Sequence, residues 1–203
     1  MQIINSLITA ILQVSLLSII PFIWWLIFGR KETSFFRWVG FKKPIIHNKR
    51  KYVITFIATI IFLSIPSFII IPYFVDQSVL ATAQFSGKGI DALIPALIYA
   101  FLQTGLSEEV FFRGFFMKRL VHKFGLQVGN GVQSLLFGLL HGILLFSYAG
   151  FWGTVIITLI TGIAGWLMGW LNEKQSEGSI VSSWLLHGCA NTLASIIVMF
   201  NIL

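Results

Sequence analysis

From Ile3 to Phe28 the chain runs for 26 residues without a charged side chain. A helix needs about 20 mostly apolar residues to cross the hydrocarbon core of a bilayer. Within that core only a helix or a closed barrel satisfies its own backbone polar groups, so this stretch predicts a helix in lipid. It is too long, and too poor in N-terminal Lys and Arg, to read as a cleaved signal peptide. Comparable runs follow over Tyr52–Val75, with kinks expected at Pro66 and Pro72, and from near Ala92 to Met117. Three more cover Val128–Tyr148, Phe151–Leu171 and Ile180–Leu203. The expected fold class is all-α: a polytopic transmembrane helix bundle of about six spans.

Composition excludes the other broad classes. The 203 residues are 57% hydrophobic and 10% charged, against about 25% charged in soluble domains. A soluble globular domain and a disordered chain are both ruled out. The net charge of +7 suggests a nucleic-acid binder, but the placement of the charges argues against one. Eight of the 14 basic residues fall between Arg30 and Lys51. Twelve lie in the connections 29–51, 118–127 and 172–179, while the connections on the other side carry only Lys88. Lys and Arg accumulate on the cytoplasmic side of membrane proteins, so both termini are expected outside and the basic connections in the cytoplasm. The segment Phe35–Arg50, with Phe36, Trp38 and Phe41 among its cations, reads as an interfacial helix or as a loop that only fixes topology. The single cysteine, Cys189, excludes an internal disulfide and a multi-Cys zinc site. No linker separates a second domain, so residues 1–203 read as one membrane domain.

Ionisable side chains inside a span are costly and mark function. Glu108, Glu109 and Arg113 lie in the third run, His141 in the fourth, and His187 with Asn191 in the sixth. At 1.5 Å per residue, Glu108 lies about 15 Å from Lys118, and His141 about 16 Å from Asn130. By the same rise His187 and Asn191 come about 10 and 16 Å in from Ile180. Three helices therefore bring acid, imidazole and amide groups to one level. Glu109 and Arg113 are four apart and pair on one helix face. Glu108 is turned away from that arginine and left free. His187 and Asn191 project together, whereas Cys189 points elsewhere and reads as a small packing residue.

A desolvated glutamate serves as a general base toward water, and imidazole and carboxamide groups stabilise a tetrahedral oxyanion. His141, His187 and a carboxylate also have the composition of a three-ligand zinc site. One zinc ion and a metal-free mechanism both remain open. There is no His-Glu-x-x-His, and Asp76 and Asp91 both fall in the outer connection, which excludes an intramembrane aspartic dyad. Gly-x-Ser-x-Gly is absent, leaving a serine mechanism little support.

Glu108-Glu109-x-x-x-Arg113, then Phe137-x-x-x-His141, then His187-x-x-x-Asn191 resembles the signature of the CAAX-protease and bacteriocin-processing (CPBP, Abi) family. That family of intramembrane proteases, described as metalloproteases, includes the Ras-converting CAAX endopeptidase. The resemblance covers about Leu93 to Met199, so 93–199 would be the catalytic core and 1–75 two accessory spans with a basic cytoplasmic loop. It implies that Glu108 activates water, with Glu109 and Arg113 as support. His141 and His187 would bind the water, a metal or the oxyanion, and Asn191 would stabilise developing charge. It also implies a site opening to the cytoplasm. The size and the Ile, Lys and Phe content suggest a bacterial cell-membrane protein whose substrate is a peptide or membrane protein. The partners expected are that substrate and the lipid bilayer, without nucleic acid. The alternatives are a non-catalytic bacteriocin-immunity or scaffold protein, and a small carrier using the Glu/His cluster as a relay. The carrier is weakened by the lack of an inverted repeat.

Overall fold

The computed structural model describes residues 2–202, with the side chains at 65–67, 69 and 71 outside that description. Every regular element among the described residues is helical. Helix α1 covers Gln2–Phe28, α2 Phe35–Trp38 and α3 Lys49–Ile69. Short 3₁₀ turns lead over residues 71–92 into α4, Leu93–Leu97. From there the chain takes π-helical winding over Ile98–Leu106 and again over Glu109–Met117. Helices α5 (Lys118–Leu144), α6 (Phe146–Gln175) and α7 (Val181–Met199) complete the bundle.

Four helical stretches are long and apolar enough to cross a membrane: Gln2–Phe28, Gly89–Leu144, Phe146–Gln175 and Val181–Met199. The second is broken at Gly125, where φ is 79° and ψ 168°, a setting that glycine alone adopts without strain. The expected third and fourth spans lie on either side of that break. A similar break at Gly150 starts the regular part of α6 where the fifth span was expected. Helix α3 stops at Ile69, short of the expected Val75, where Pro72 has no N–H to give to the helical ladder. Its 21 residues rise about 32 Å, enough for the hydrocarbon core. The kink expected at Pro66 and the chain end at Leu203 lie outside what is described.

Lipid tails are as apolar as leucine, so burial alone does not drive these helices together. Helix α1 shows this: its buried residues are Ala10 and Pro21, and Leu12 and Leu16 are about two-thirds exposed. Close approach and polar contacts do the packing instead. A Cβ on Gly138 of α5 would lie 2.3 Å from the Thr158 carbonyl of α6. Asn130 Nδ2 donates to the Trp166 carbonyl at 2.9 Å, and Gln133 Nε2 donates to that of Gly165 at 3.0 Å. Asn130 is therefore buried between α5 and α6, not at a helix end as the depth estimate assumed.

The two ends of the bundle are built differently. At the basic end, the segment expected to form an interfacial helix is helical only over Phe35–Trp38. Beyond it Val39 is fully buried, and the Gly40 carbonyl accepts from Ile180 N–H at 2.9 Å. Ser179 donates to the Lys42 carbonyl, and the Phe41 and Trp184 rings sit 5.6 Å apart. Lys118 Nζ reaches the Gly178 carbonyl at 2.7 Å and Glu173 at 3.1 Å. The segment is a plug, folded back against the α6–α7 connection. At the opposite end, the 3₁₀ turns meet the end of α7: Phe85 packs with Met199, and Gly87 N–H donates to the Val198 carbonyl at 3.2 Å.

Candidate active site

The π-wound segment places its two glutamates side by side in very different surroundings. Glu109 and Arg113 are both fully buried, with Arg113 Nη1 3.0 Å from Glu109 Oε1. The flat guanidinium lies 4.1 Å over the Phe137 ring. It is held by charge and stacking, since its nitrogens make no well-directed hydrogen bond among the described residues. Glu109 also accepts from His187 Nδ1 at 3.1 Å and from the Ser183 hydroxyl. Asn172 completes the set, donating to Ser183 Oγ at 2.7 Å and accepting the Ser183 N–H at 3.1 Å. One carboxylate thus joins three segments: its own helix, α6 through Asn172, and α7 through Ser183 and His187. Such an ion pair costs desolvation, and it survives only with good geometry and added hydrogen bonds.

Glu108 makes none of these hydrogen bonds. Its side chain is 16% exposed, and its Oε2 has no hydrogen-bond partner among the described residues. That oxygen faces His187 Nε2 across 3.9 Å, too far for direct bonding and suited to one bridging water. Glu109 can only accept, so His187 carries a proton on Nδ1, and in the neutral ring this leaves Nε2 bare toward Glu108. His141 is set in the same way: Nδ1 donates to the Phe137 carbonyl at 2.8 Å, leaving Nε2 free.

Phe137 is the central surface of the site. Its ring centroid lies 4.5 Å from that of His141 and 6.4 Å, edge to face, from that of His187. Asn191, one turn beyond His187, donates to Thr104 Oγ1 at 2.8 Å, and Thr104 donates in turn to the Tyr99 carbonyl at 3.0 Å. One amide proton of Asn191 remains for a ligand. Glu108, His141, His187 and Asn191 all line one cavity of about 610 Å³, and Glu109 and Arg113 lie beneath its floor.

Sequence reasoning missed Asn172 and Ser183, along with the supporting Thr104. Ser183 and His187 are four apart, as are Thr104 and Glu108, so helical spacing alone carried a signal for both. Asn172 stood just past the expected end of the fifth span and next to charges, which is why it looked like loop. The cavity is lined by residues of α5, α6 and α7 on the side of Glu108 that carries the 3₁₀ turns.

The zinc arrangement does not fit these residues as placed. Among the described residues no three His, Cys, Asp or Glu side chains converge on a point that would hold an ion. Glu108 Oε2 and His187 Nε2 lie 3.9 Å apart, and the His141 ring packs on Phe137 at 4.5 Å.

A family model for Rce1-like type II CAAX prenyl endopeptidases matches residues 90–193. No curated protein and no solved structure gives a match. The matched stretch is just over half of the chain and holds all three motifs that line the cavity or its floor. The chain belongs to the Rce1-like type II CAAX prenyl endopeptidase family.

Proposed function

We propose that the protein is an intramembrane endopeptidase in which Glu108 activates the attacking water. The observation that carries this reading is Glu108 Oε2, without a hydrogen bond among the described residues and 3.9 Å from His187 Nε2. A water in that gap donates one proton to Glu108 and the other to His187 Nε2, leaving a lone pair for the scissile carbonyl. Attack forms the C–O bond and passes a proton to Glu108. Asn191, through its unused amide proton, and His141, when protonated, stabilise the oxyanion. Collapse breaks the C–N bond, and Glu108 returns the proton to the leaving amine. Glu109 takes no proton in this scheme. It fixes the tautomer of His187, Arg113 balances its charge, and Ser183 with Asn172 holds it in place.

A member that had kept these residues only as packing would have no reason to leave a buried carboxylate oxygen unpaired, since an unmade buried hydrogen bond costs about 1–3 kcal/mol. The test is cleavage of apolar peptides by protein reconstituted in liposomes. Glu108→Gln is expected to lower the rate about 10²–10⁴-fold, the usual contribution of a general base. Cleavage at the unmodified rate would leave the non-catalytic reading standing.

A further inference from the structure

Helix α1 lies outside the stretch that matches the family, residues 90–193, yet it reaches the cavity. Gln13 of α1 lines it together with Gln103, Thr104 and Glu108. A carboxamide on a membrane-spanning helix needs a partner, because lipid offers none. Gln103 Nε2 donates to Gln13 Oε1, but at 3.3 Å, longer than a well-made N–H···O bond. The Thr9 hydroxyl lies 3.4 Å from Gln103 Oε1. It has one proton to give, and the Asn5 and Ser6 carbonyls of its own helix compete for it, each at 3.0 Å. Gln103 Oε1 is thus left without a donor, and Gln13 Nε2 makes no hydrogen bond among the described residues. Turning both amides over exchanges oxygen for nitrogen and still leaves one oxygen and spare N–H groups. The two side chains keep an acceptor and donors in reserve, in the same cavity as Glu108.

We propose that Gln13 and Gln103 form a subsite that clasps the main chain of the peptide substrate. One residue of an extended peptide presents its N–H and its C=O on the same edge. Gln103 Oε1 accepts that N–H, and Gln13 Nε2 donates to that C=O. Gln103 stands five residues before Glu108, the spacing of one π turn. A helical turn rises about 5 Å, or one to two residues of extended chain. The clasped residue therefore lies one or two positions from the scissile bond. The subsite reads main chain and not side chain, so it accepts many sequences but rejects proline at that position, which has no N–H. This inference rests on the peptidase reading for the identity of the ligand, and adds what holds the ligand and why α1 belongs to the site.

The test is binding of a dye-labelled apolar peptide to Glu108→Gln protein, with N-methyl groups placed along the peptide one position at a time. One position near the cut bond is expected to lose about 2–12-fold in affinity when methylated, the worth of one hydrogen bond. Adding Gln103→Leu should weaken the unmethylated peptide by the same factor and abolish the methyl effect at that position. Adding Gln13→Leu should weaken both peptides by a similar factor and keep the methyl effect. No sensitive position, or a methyl effect that persists in Gln103→Leu, overturns the subsite. So does a lower melting temperature of either Leu variant with unchanged affinity, which is the signature of packing alone. Cleavage by the unmodified protein is read beside binding. A peptide that binds with the expected pattern and is never cut sinks the peptidase reading alone, and one that is cut but has no methyl-sensitive position sinks this inference alone.

Discussion

Replacing Glu109 by Gln separates the two neighbouring glutamates by their physics. The substitution keeps the size of the side chain and removes its charge, taking from Arg113, which has no exposed surface, its charge partner at 3.0 Å. Breaking a buried pair from one side costs about 3–5 kcal/mol. For a chain of this length that corresponds to a drop in Tm on the order of 10 °C. The chemistry suffers as well. Arg113 and His187 Nδ1 both donate at the Oε1 place, so the Gln oxygen takes it and the Gln NH₂ falls against Ser183, whose hydroxyl had donated to the carboxylate. Ser183 then donates to the Ile180 carbonyl alone, and His187 loses the carboxylate charge that held its Nδ1–H. Glu109→Gln should therefore lose both stability and cleavage, whereas Glu108→Gln should lose cleavage and melt within about 1 kcal/mol of the unmodified protein, since the oxygen it replaces makes no hydrogen bond among the described residues. The pair Glu109→Gln with Arg113→Met should regain much of the stability and none of the activity. Melting in detergent and cleavage in liposomes read the two effects. A Glu109→Gln protein that melts unchanged would refute the buried-pair argument, and one that cleaves normally would refute the role given to the Glu109 charge in holding His187.

Other outcomes follow from single contacts. Asn191→Ala should lower kcat about 10²–10³-fold with little change in KM, as loss of one oxyanion donor does; steady-state kinetics reads the split. Gly138→Ala places a Cβ 2.3 Å from the Thr158 carbonyl and should destabilise the bundle by about 1–3 kcal/mol, measured by thermal melting. Prolonged chelation should leave cleavage intact, since the donors do not converge on an ion; activity lost to chelation and restored by zinc would contradict this. Asp76 Oδ1 accepts the Ser78 N–H at 2.8 Å, and that bond holds its carboxyl below the ordinary value of 3.8. A depressed folded value means the turn is held above pH 3.8 and loosens as pH falls through the folded value. Exchange of the Ser78 amide, corrected for intrinsic rates, should rise only in that acid range.

Much of the helix layout was legible because lipid imposes a simple rule: long uncharged runs become helices. The motif residues were legible because ionisable groups are scarce in such runs, so Glu108, Glu109, Arg113, His141 and His187 stood out. What was not legible depends on partners distant in sequence. Ser183 and Asn172 are ordinary polar residues near span ends until Glu109 brings them together. The π winding around Glu108 is invisible to a 3.6-residue period, although such winding gathers at functional sites. The plug of residues 39–42 looked like a basic surface loop because its cations are exposed, while the backbone that does the sealing carries no compositional mark.

The water held between Glu108 and His187 is tested by single-turnover cleavage of a bound apolar peptide in liposomes, comparing the unmodified protein with Glu108→Gln. The expected result is that Glu108→Gln binds the peptide with unchanged affinity and cuts it at least about 100-fold more slowly. Equal single-turnover rates would remove Glu108 as the base, and with it the reason for its unpaired oxygen.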